Sequence, residues 1–325
     1  MDASAFGLKF RPFATGPDPA GYFAAPAHDD AITRAVTALE LNEPYVAIVG
    51  EPGLGKTLAG HIVVSRLNNP VTAFITNCHC EKRSELLQAI LYDFGLPYAG
   101  RGEQELRLGL TDFVMQHLTE GQRTLIVLDE AHLLNPDLLE EVRLLGNLES
   151  PRGRAVQVLL LGLPSLLVTL NSPSLTGLSQ RLATRIHLEP FGLRESAEYI
   201  AFQVNRAGGR PSDLFNDDAV EELAKGCRGI PRLLNQAATA ALSLMRVAEL
   251  ETVDIEVAME ALATLPHIEP AVEPEPTPQL FTDDEPIDQI PVEHVVMDSG
   301  IGDLEWPRGP LTGPQRYIFT PVTPH

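Results

Sequence analysis

YVAIVGEPGLGKTLAGHIVV, residues 45–64, holds three kinds of sequence in succession. The apolar, β-rich run 45–50 reads as a strand buried on both faces. GEPGLGKT (50–57) fits the pattern G-x-x-x-x-G-K-[ST]. The run that follows, TLAGHIVVSRL, spaces its apolar residues as a helix does. Strand, glycine-rich turn and helix in this order let backbone N–H groups curl around phosphate oxygens. Gly50, Glu51, Pro52, Gly53, Leu54, Gly55, Lys56, Thr57 and Leu58 are therefore the expected nucleotide cradle. Lys56 supplies a point charge at the β- and γ-phosphates and Thr57 a hydroxyl for Mg²⁺. The positive end of the helix starting near Lys56 adds to both.

Short apolar runs recur at VTAFITN (71–77), TLIVLDE (124–130), VQVLLLG (156–162) and RIHLEPF (185–191), with helical candidates between them. Such alternation predicts an α/β fold in which a five-stranded parallel sheet is covered by helices on both faces. In such sheets ligands collect at the carboxyl ends of the strands. There TLIVLDEAHLL (124–134) delivers Asp129, suited to hold Mg²⁺ through its water shell, and Glu130, suited to polarise an attacking water. ATP and Mg²⁺ are thus the expected ligands, with Thr57 and Asp129 on the metal. Hydrolysis also needs positive charge near the γ-phosphate. Arg181 and Arg185 in LSQRLATRI and Arg232 in RGIPRLLN are the candidates, and spacing alone leaves each open to being a surface arginine. Pro231 suits a helix start, which puts Arg232 in a first turn.

From Leu193 strands give way to four helical patterns, ending at LATL (262–265). Asn216, followed by two aspartates, is expected to cap one of them through its side chain. The organisation expected is a nucleotide-binding α/β domain at 1–192 with a lead-in at 1–44, a helical lid at 193–265, and a tail at 266–325. That tail concentrates proline and acid, and such composition predicts disorder. Its clusters DLEW (303–306) and QRYIF (315–319) read either as chance hydrophobes or as a docking peptide for a protein partner.

Net charge is −20, and 266–325 hold 11 of the 44 acids with two of the 24 Lys and Arg. The body stays acidic, with 33 acids against 22 basic residues, so it lacks the basic footprint on which nonspecific DNA binding depends. A local basic groove remains compatible with this, so DNA is possible as a partner but not favoured. No run of about 18 apolar residues suggests a membrane span. The N-terminus, MDASAFGLKFRPF, does not read as a secretory signal. With three cysteines and no disulfide framework, a cytoplasmic protein is expected, either free or peripheral at the inner face of the membrane.

FGLKFRPF and PDP near the N-terminus, GEPGLGKT, FGLP (94–97), LDEAHLL with EEVRLLGNLES, LGLPSL, LSQRLATRI, EYI, AGG and RGIPRLLN form an ordered set. In that set the chain resembles AAA+ ATPases of the ExeA-like family (general secretion pathway protein A and relatives) through residue 265. The resemblance implies an ATP-dependent core with a helical lid and homo-oligomers, rings or filaments, with nucleotide at subunit interfaces. It implies that Arg232 senses nucleotide within its own subunit, and that Arg181, in preference to Arg185, reaches a neighbour's ATP. Leu163, in GLPSL, stands where relatives commonly carry a polar residue. If that is the first sensor position, its contact to the γ-phosphate or lytic water is missing and turnover is slow. Larger secretion members continue into a membrane span and a peptidoglycan-binding module, whereas this chain continues into its acidic tail.

Cys78-His79-Cys80 brings too few ligands together for a structural zinc site, which needs four. Cys227 reads as small packing at a helix end. His132 stands where relatives often have glutamine, and it either couples Glu130 to a neighbour or caps locally. A DEAH helicase would need two nucleotide-type domains, and only one fits. Three functions remain: an ATPase assembling or regulating an envelope apparatus for secretion, pilus biogenesis or polysaccharide export; a DNA-associated regulator of transposition; and a nucleotide-switched scaffold with slow turnover.

Overall fold

The computed structural model describes residues 3–14, 16–151 and 153–265, and the acidic tail expected at 266–325 lies outside them. The described residues make up one compact unit. The strands are β1 (Tyr45–Val49), β2 (Val71–Ile75), β3 (Thr124–Leu128), β4 (Glu149–Ser150), β5 (Gly153–Arg154), β6 (Val156–Gly162) and β7 (Thr184–His187). The helices of the α/β half are α1 (Pro26–Glu40), α2 (Lys56–Arg66), α3 (Arg83–Asp93), α4 (Glu103–Thr119), α5 (Pro136–Leu145), α6 (Ser165–Leu170) and α7 (Thr176–Ser179). Beyond them come α8 (Leu193–Arg206), α9 (Pro211–Leu214), α10 (Asp217–Gly226), α11 (Pro231–Val247) and α12 (Ile255–Ala263).

Five strands form one parallel sheet in the order β2-β3-β6-β1-β7, and β4 pairs antiparallel with β5 as a small hairpin. Alternation along each strand divides the core between the two faces. Tyr45, Ala47 and Val49 of β1 turn to the layer made by α3, α4 and α5, where Leu87, Leu110 and Leu139 are fully buried. Val46 and Ile48 turn to the layer made by α1 and α2, with Ile32, Leu39 and Val63. Being covered on both sides, β1, β3 and β6 are apolar almost throughout.

A third apolar cluster is built by α8, α10, α11 and α12, as the helical pattern predicts. It is completed from the other end of the chain, because Leu8, Phe13 and Ala25 are buried within it. Phe13 meets Phe215 edge to face at 6.3 Å, and Phe23 packs against Phe191, Tyr199 and Phe202. Two local expectations change. Asn216 precedes α10 in an extended conformation, but its side chain makes no capping hydrogen bond, and its backbone N–H donates to the Val253 carbonyl instead. The helical candidate PSLTGLSQRLAT (173–184) forms only a 3₁₀ turn, Pro173–Leu175, and the four-residue α7, with Gly177 weakening helix within it.

Candidate nucleotide site

β1 and β3 are neighbours of β6 on opposite sides, so three strand ends converge. Val49 lies level with Gly162, after which Leu163 follows, and β3 hands over to Asp129. The loop after β1 closes through two left-handed glycines, Gly53 and Gly55, both at φ 89°. Lys56 and Thr57 then open α2.

Lys56 is buried, with 7% exposure, and its Nζ donates to the Gly50 carbonyl at 2.9 Å and the Glu51 carbonyl at 3.1 Å. Among the described residues it forms no ion pair. Burial lowers its pKa, opposed by the fields of Glu130, Asp129 and Glu51. A cation held by carbonyls alone and partly desolvated is poised for an anion. Thr57 Oγ1 donates to Asp129 Oδ2 at 2.5 Å, and the Glu130 N–H donates to Asp129 Oδ1 at 2.9 Å. Asp129 is 2% exposed, and burial raises its pKa against the lowering by those two donors. An all-oxygen pair of hydroxyl and carboxylate beside a buried lysine fits Mg²⁺ together with a phosphate chain.

Glu130 has a left-handed backbone, φ 55°, which costs a non-glycine residue about 1–2 kcal/mol. Its carboxylate stays partly exposed, with Oε2 3.4 Å from His132 Nδ1. The same ring atom lies 3.4 Å from the Leu163 backbone N–H. Cys78, behind this group, is buried, and desolvation pushes its thiol up to about 12. A thiol of that kind is unreactive packing at neutral pH.

Lys56, Thr57, Glu130, Leu163 and Arg232 share one open cleft of about 290 Å³. Arg232 enters from the first turn of α11, which Pro231 starts as expected. Its backbone N–H donates to the Gly53 carbonyl at 3.2 Å, so the helical part is stitched to the glycine loop itself. Among the described residues the Arg232 guanidinium has neither a hydrogen bond nor an ion pair. Arg181 and Arg185 do not line this cleft. Arg181 donates to Asn147 Oδ1, while Arg185 donates to Asn171 Oδ1 and Ser179 Oγ at 3.0 and 2.7 Å.

The far wall was not foreseen from the sequence. Pro12, Ala14, Pro17 and Asp18 of the N-terminal segment face Tyr199, Gln203 and Arg206 of α8 and Asn235 of α11 across the cleft. Asp18 pairs with Arg206, Gln203 Nε2 donates to the Gly21 carbonyl at 3.1 Å, and Asn235 Nδ2 to the Ala14 carbonyl at 3.1 Å. The only advance signal was the apolar spacing of FGLKFRPF, with Phe6, Leu8, Phe10 and Phe13 ahead of two prolines.

Residues 41–170 match the AAA domain family. The chain is an AAA-domain protein. General secretion pathway protein A of Aeromonas hydrophila is 34% identical over 239 residues, covering 73% of this chain and 43% of that protein. The ATP-dependent target DNA activator B of Escherichia phage Mu is 32% identical over 105 residues, 32% of each chain. The chain thus spans less than half the length of either relative. Among solved structures the Aeropyrum pernix ORC2 protein, in ADPNP–ADP complexes, superposes with a TM-score of 0.63 at 17% identity, covering 80% of this chain and 72% of that one. At that identity the likeness shows the fold, which is AAA+. No helix among the described residues is long and apolar enough to cross a membrane.

Proposed function

We propose that this AAA-domain protein binds and hydrolyses ATP, and uses the cycle to assemble or remodel a partner complex. The observation that carries the chemistry is the buried Lys56 beside the Thr57–Asp129 pair at 2.5 Å. Backbone N–H groups of Gly53 to Thr57 and the Lys56 ammonium would take the phosphate chain. Thr57 and Asp129 would hold Mg²⁺, which when bound neutralises charge on the β- and γ-oxygens. Glu130 orients and polarises a water for in-line attack. Arg232, whose guanidinium has no partner among the described residues and which stands on the lid formed by 193–265, reports the γ-phosphate to the helical part. Arg181 or Arg185, lying away from their own cleft, are the groups available to reach a neighbouring subunit's nucleotide in a homo-oligomer.

For the setting, 34% identity to general secretion pathway protein A over 73% of the chain favours an envelope apparatus. The similarity to a phage target DNA activator supports a second reading, regulation on DNA. Sedimentation and electron microscopy with ATP, ADP or no nucleotide, each with and without duplex DNA, separate the two. Ordered ATP-dependent filaments on DNA at moderate salt would overturn the envelope reading. For the chemistry, Lys56→Ala should abolish ATP binding, while Glu130→Gln should bind ATP without turning it over. Normal hydrolysis by Glu130→Gln would refute the assignment of the water-activating group.

A further inference from the structure

Arg232 and Asn235 stand three residues apart on α11, so one face of that helix carries both into the cleft. Tyr199, Gln203 and Arg206 make a second stripe on α8, at i, i+4 and i+7. The two helices hold the N-terminal segment by its carbonyl groups, Gln203 at Gly21 and Asn235 at Ala14. Asn235 is engaged at both ends of its amide. Its Oδ1 accepts from the Tyr199 hydroxyl at 2.8 Å, and its Nδ2 donates to the Ala14 carbonyl at 3.1 Å. The two bonds use different atoms, and a carbonyl only accepts, so a single orientation of the amide satisfies both. Tyr199 is buried against Phe23 and Phe191, and burial raises its pKa, which keeps the hydroxyl a donor.

We propose that Asn235 is a positioning residue for the nucleoside end of the cleft, acting through the N-terminal wall that it ties to α8 and α11. This rests on the reading of the cleft as an ATPase site. Lys56 and Thr57 take the phosphates there, and Glu130 and Leu163 mark the γ-end. The nucleoside then extends toward the wall that Ala14, Pro17 and Asp18 contribute. That wall has little regular structure of its own beyond the 3₁₀ turn Pro19–Gly21. Its place depends on side chains that reach its backbone. The Asp18–Arg206 pair is partly exposed and holds weakly, whereas the Tyr199–Asn235–Ala14 relay starts from a buried ring. With Arg232 one turn earlier, α11 sets a phosphate-facing cation and a nucleoside-facing wall in fixed register.

The chemistry of the relay specifies its own test. Aspartate has the shape of asparagine and keeps the acceptor for Tyr199, but it replaces the donor with an oxygen that repels the Ala14 carbonyl. In the full chain, Asn235→Asp should raise the Kd of ATP and of ADP by the same factor, about fivefold to twentyfold. The kcat at saturating ATP should stay within about twofold, because the binding lost is common to ground and transition states. Magnesium tripolyphosphate has no nucleoside, so its Kd should differ by less than about twofold between variant and unmodified chain. Tyr199→Phe keeps the ring and frees the amide to turn, so it should give the same pattern at smaller size. Combined with Asn235→Asp it should add no more than about twofold, since both changes break one relay. Should Asn235→Asp fail to fold, Asn235→Ala, which suits a helix interior, takes its place with the same expected pattern.

A readout independent of nucleotide comes from hydrogen exchange of the empty protein. Backbone amides of residues 16–21 should exchange about threefold faster or more in Asn235→Asp, while those of β1 keep their rates. Unchanged ATP affinity, a loss for tripolyphosphate equal to that for ATP, unequal losses for ATP and ADP, or unchanged exchange at 16–21 would each overturn the proposal while leaving the ATPase reading intact. Failure of the unmodified chain to bind ATP would overturn both.

Discussion

Gly53 and Gly55 share φ 89°, yet their surroundings differ, and this makes the pair an internal measurement of how the glycine loop is tied to the start of α11. A Cβ on Gly55 would meet nothing within 4 Å. Gly55→Ala should therefore cost only the left-handed strain, about 1–2 kcal/mol. A Cβ on Gly53 would lie 2.9 Å from Ile230 Cγ2 and 3.0 Å from Arg232 Cβ. Both atoms belong to the start of α11, where backbone must move to relieve the contact. Overpacking of this kind costs about 1–3 kcal/mol beyond the strain. The same shift stretches the 3.2 Å hydrogen bond from Arg232 N–H to Gly53 O, with about 0.5–1.5 kcal/mol at stake. Gly53→Ala should then be less stable than Gly55→Ala by about 1–4 kcal/mol, depending on how much of that hydrogen bond survives. For a body of this size that is a gap of roughly 3–10 °C in thermal midpoint. Thermal and urea unfolding of the nucleotide-free variants measure it directly. Equal losses for the two variants would refute the idea that the glycine loop bears on the start of α11.

Removing the buried charges should trade function for stability. The pKa of Lys56 is lowered in the fold, so at neutral pH its protonated form is disfavoured there, and that penalty fades as pH rises toward its ordinary 10.5. Lys56→Met should raise the midpoint of the nucleotide-free protein at pH 7, with the gain shrinking in alkali as nucleotide affinity stays lost. Asp129 has a raised pKa, so its contribution is most favourable below its ordinary 3.8 and is lost as pH rises through the folded value. Asp129→Asn should stabilise at pH 7 and lose that advantage in acid, while Mg²⁺-dependent nucleotide binding falls; a midpoint unchanged at pH 7 would contradict the assigned burial cost. Phe13, fully buried, should cost about 3–5 kcal/mol on truncation to alanine, read as a shift in urea midpoint. Arg206→Ala, whose partner Asp18 is 41% exposed, should cost under about 1 kcal/mol by the same assay.

The five sheet strands were legible because burial on both faces forces near-continuous apolar runs, which GEPGLGKT and LDEAHLL punctuate. The strand order was not, since a run such as VQVLLLG says nothing about which neighbours it takes. The position of β6 between β1 and β3 is what brings Leu163 and His132 to Glu130. Lys56, Thr57, Asp129 and Glu130 meet as the spacing implied, because strand ends fix them. Asn235 and Gln203 were invisible as cleft residues, for they face backbone carbonyls more than 180 positions away. The side-chain cap expected of Asn216 failed for a related reason: a parallel bridge from Phe215 to Val253 fixes its backbone N–H on another partner.

Leu8, Phe13 and Ala25 complete a cluster whose other buried members begin at Phe191, and this imposes an order on synthesis. The segment that carries Leu8 and Phe13 leaves the ribosome almost two hundred residues ahead of the helices that cover it. The parallel sheet can assemble in that interval, because its last strand ends at His187. The cleft then stands roofless, with its glycine loop formed and its far wall missing. Closure waits for α11, and with it residues 8–25 are set among helices that lie some two hundred positions further on. A nascent chain stalled between those points would present both an unfinished cleft and an uncovered aromatic stretch, which makes this interval the one in which a chaperone has something to hold.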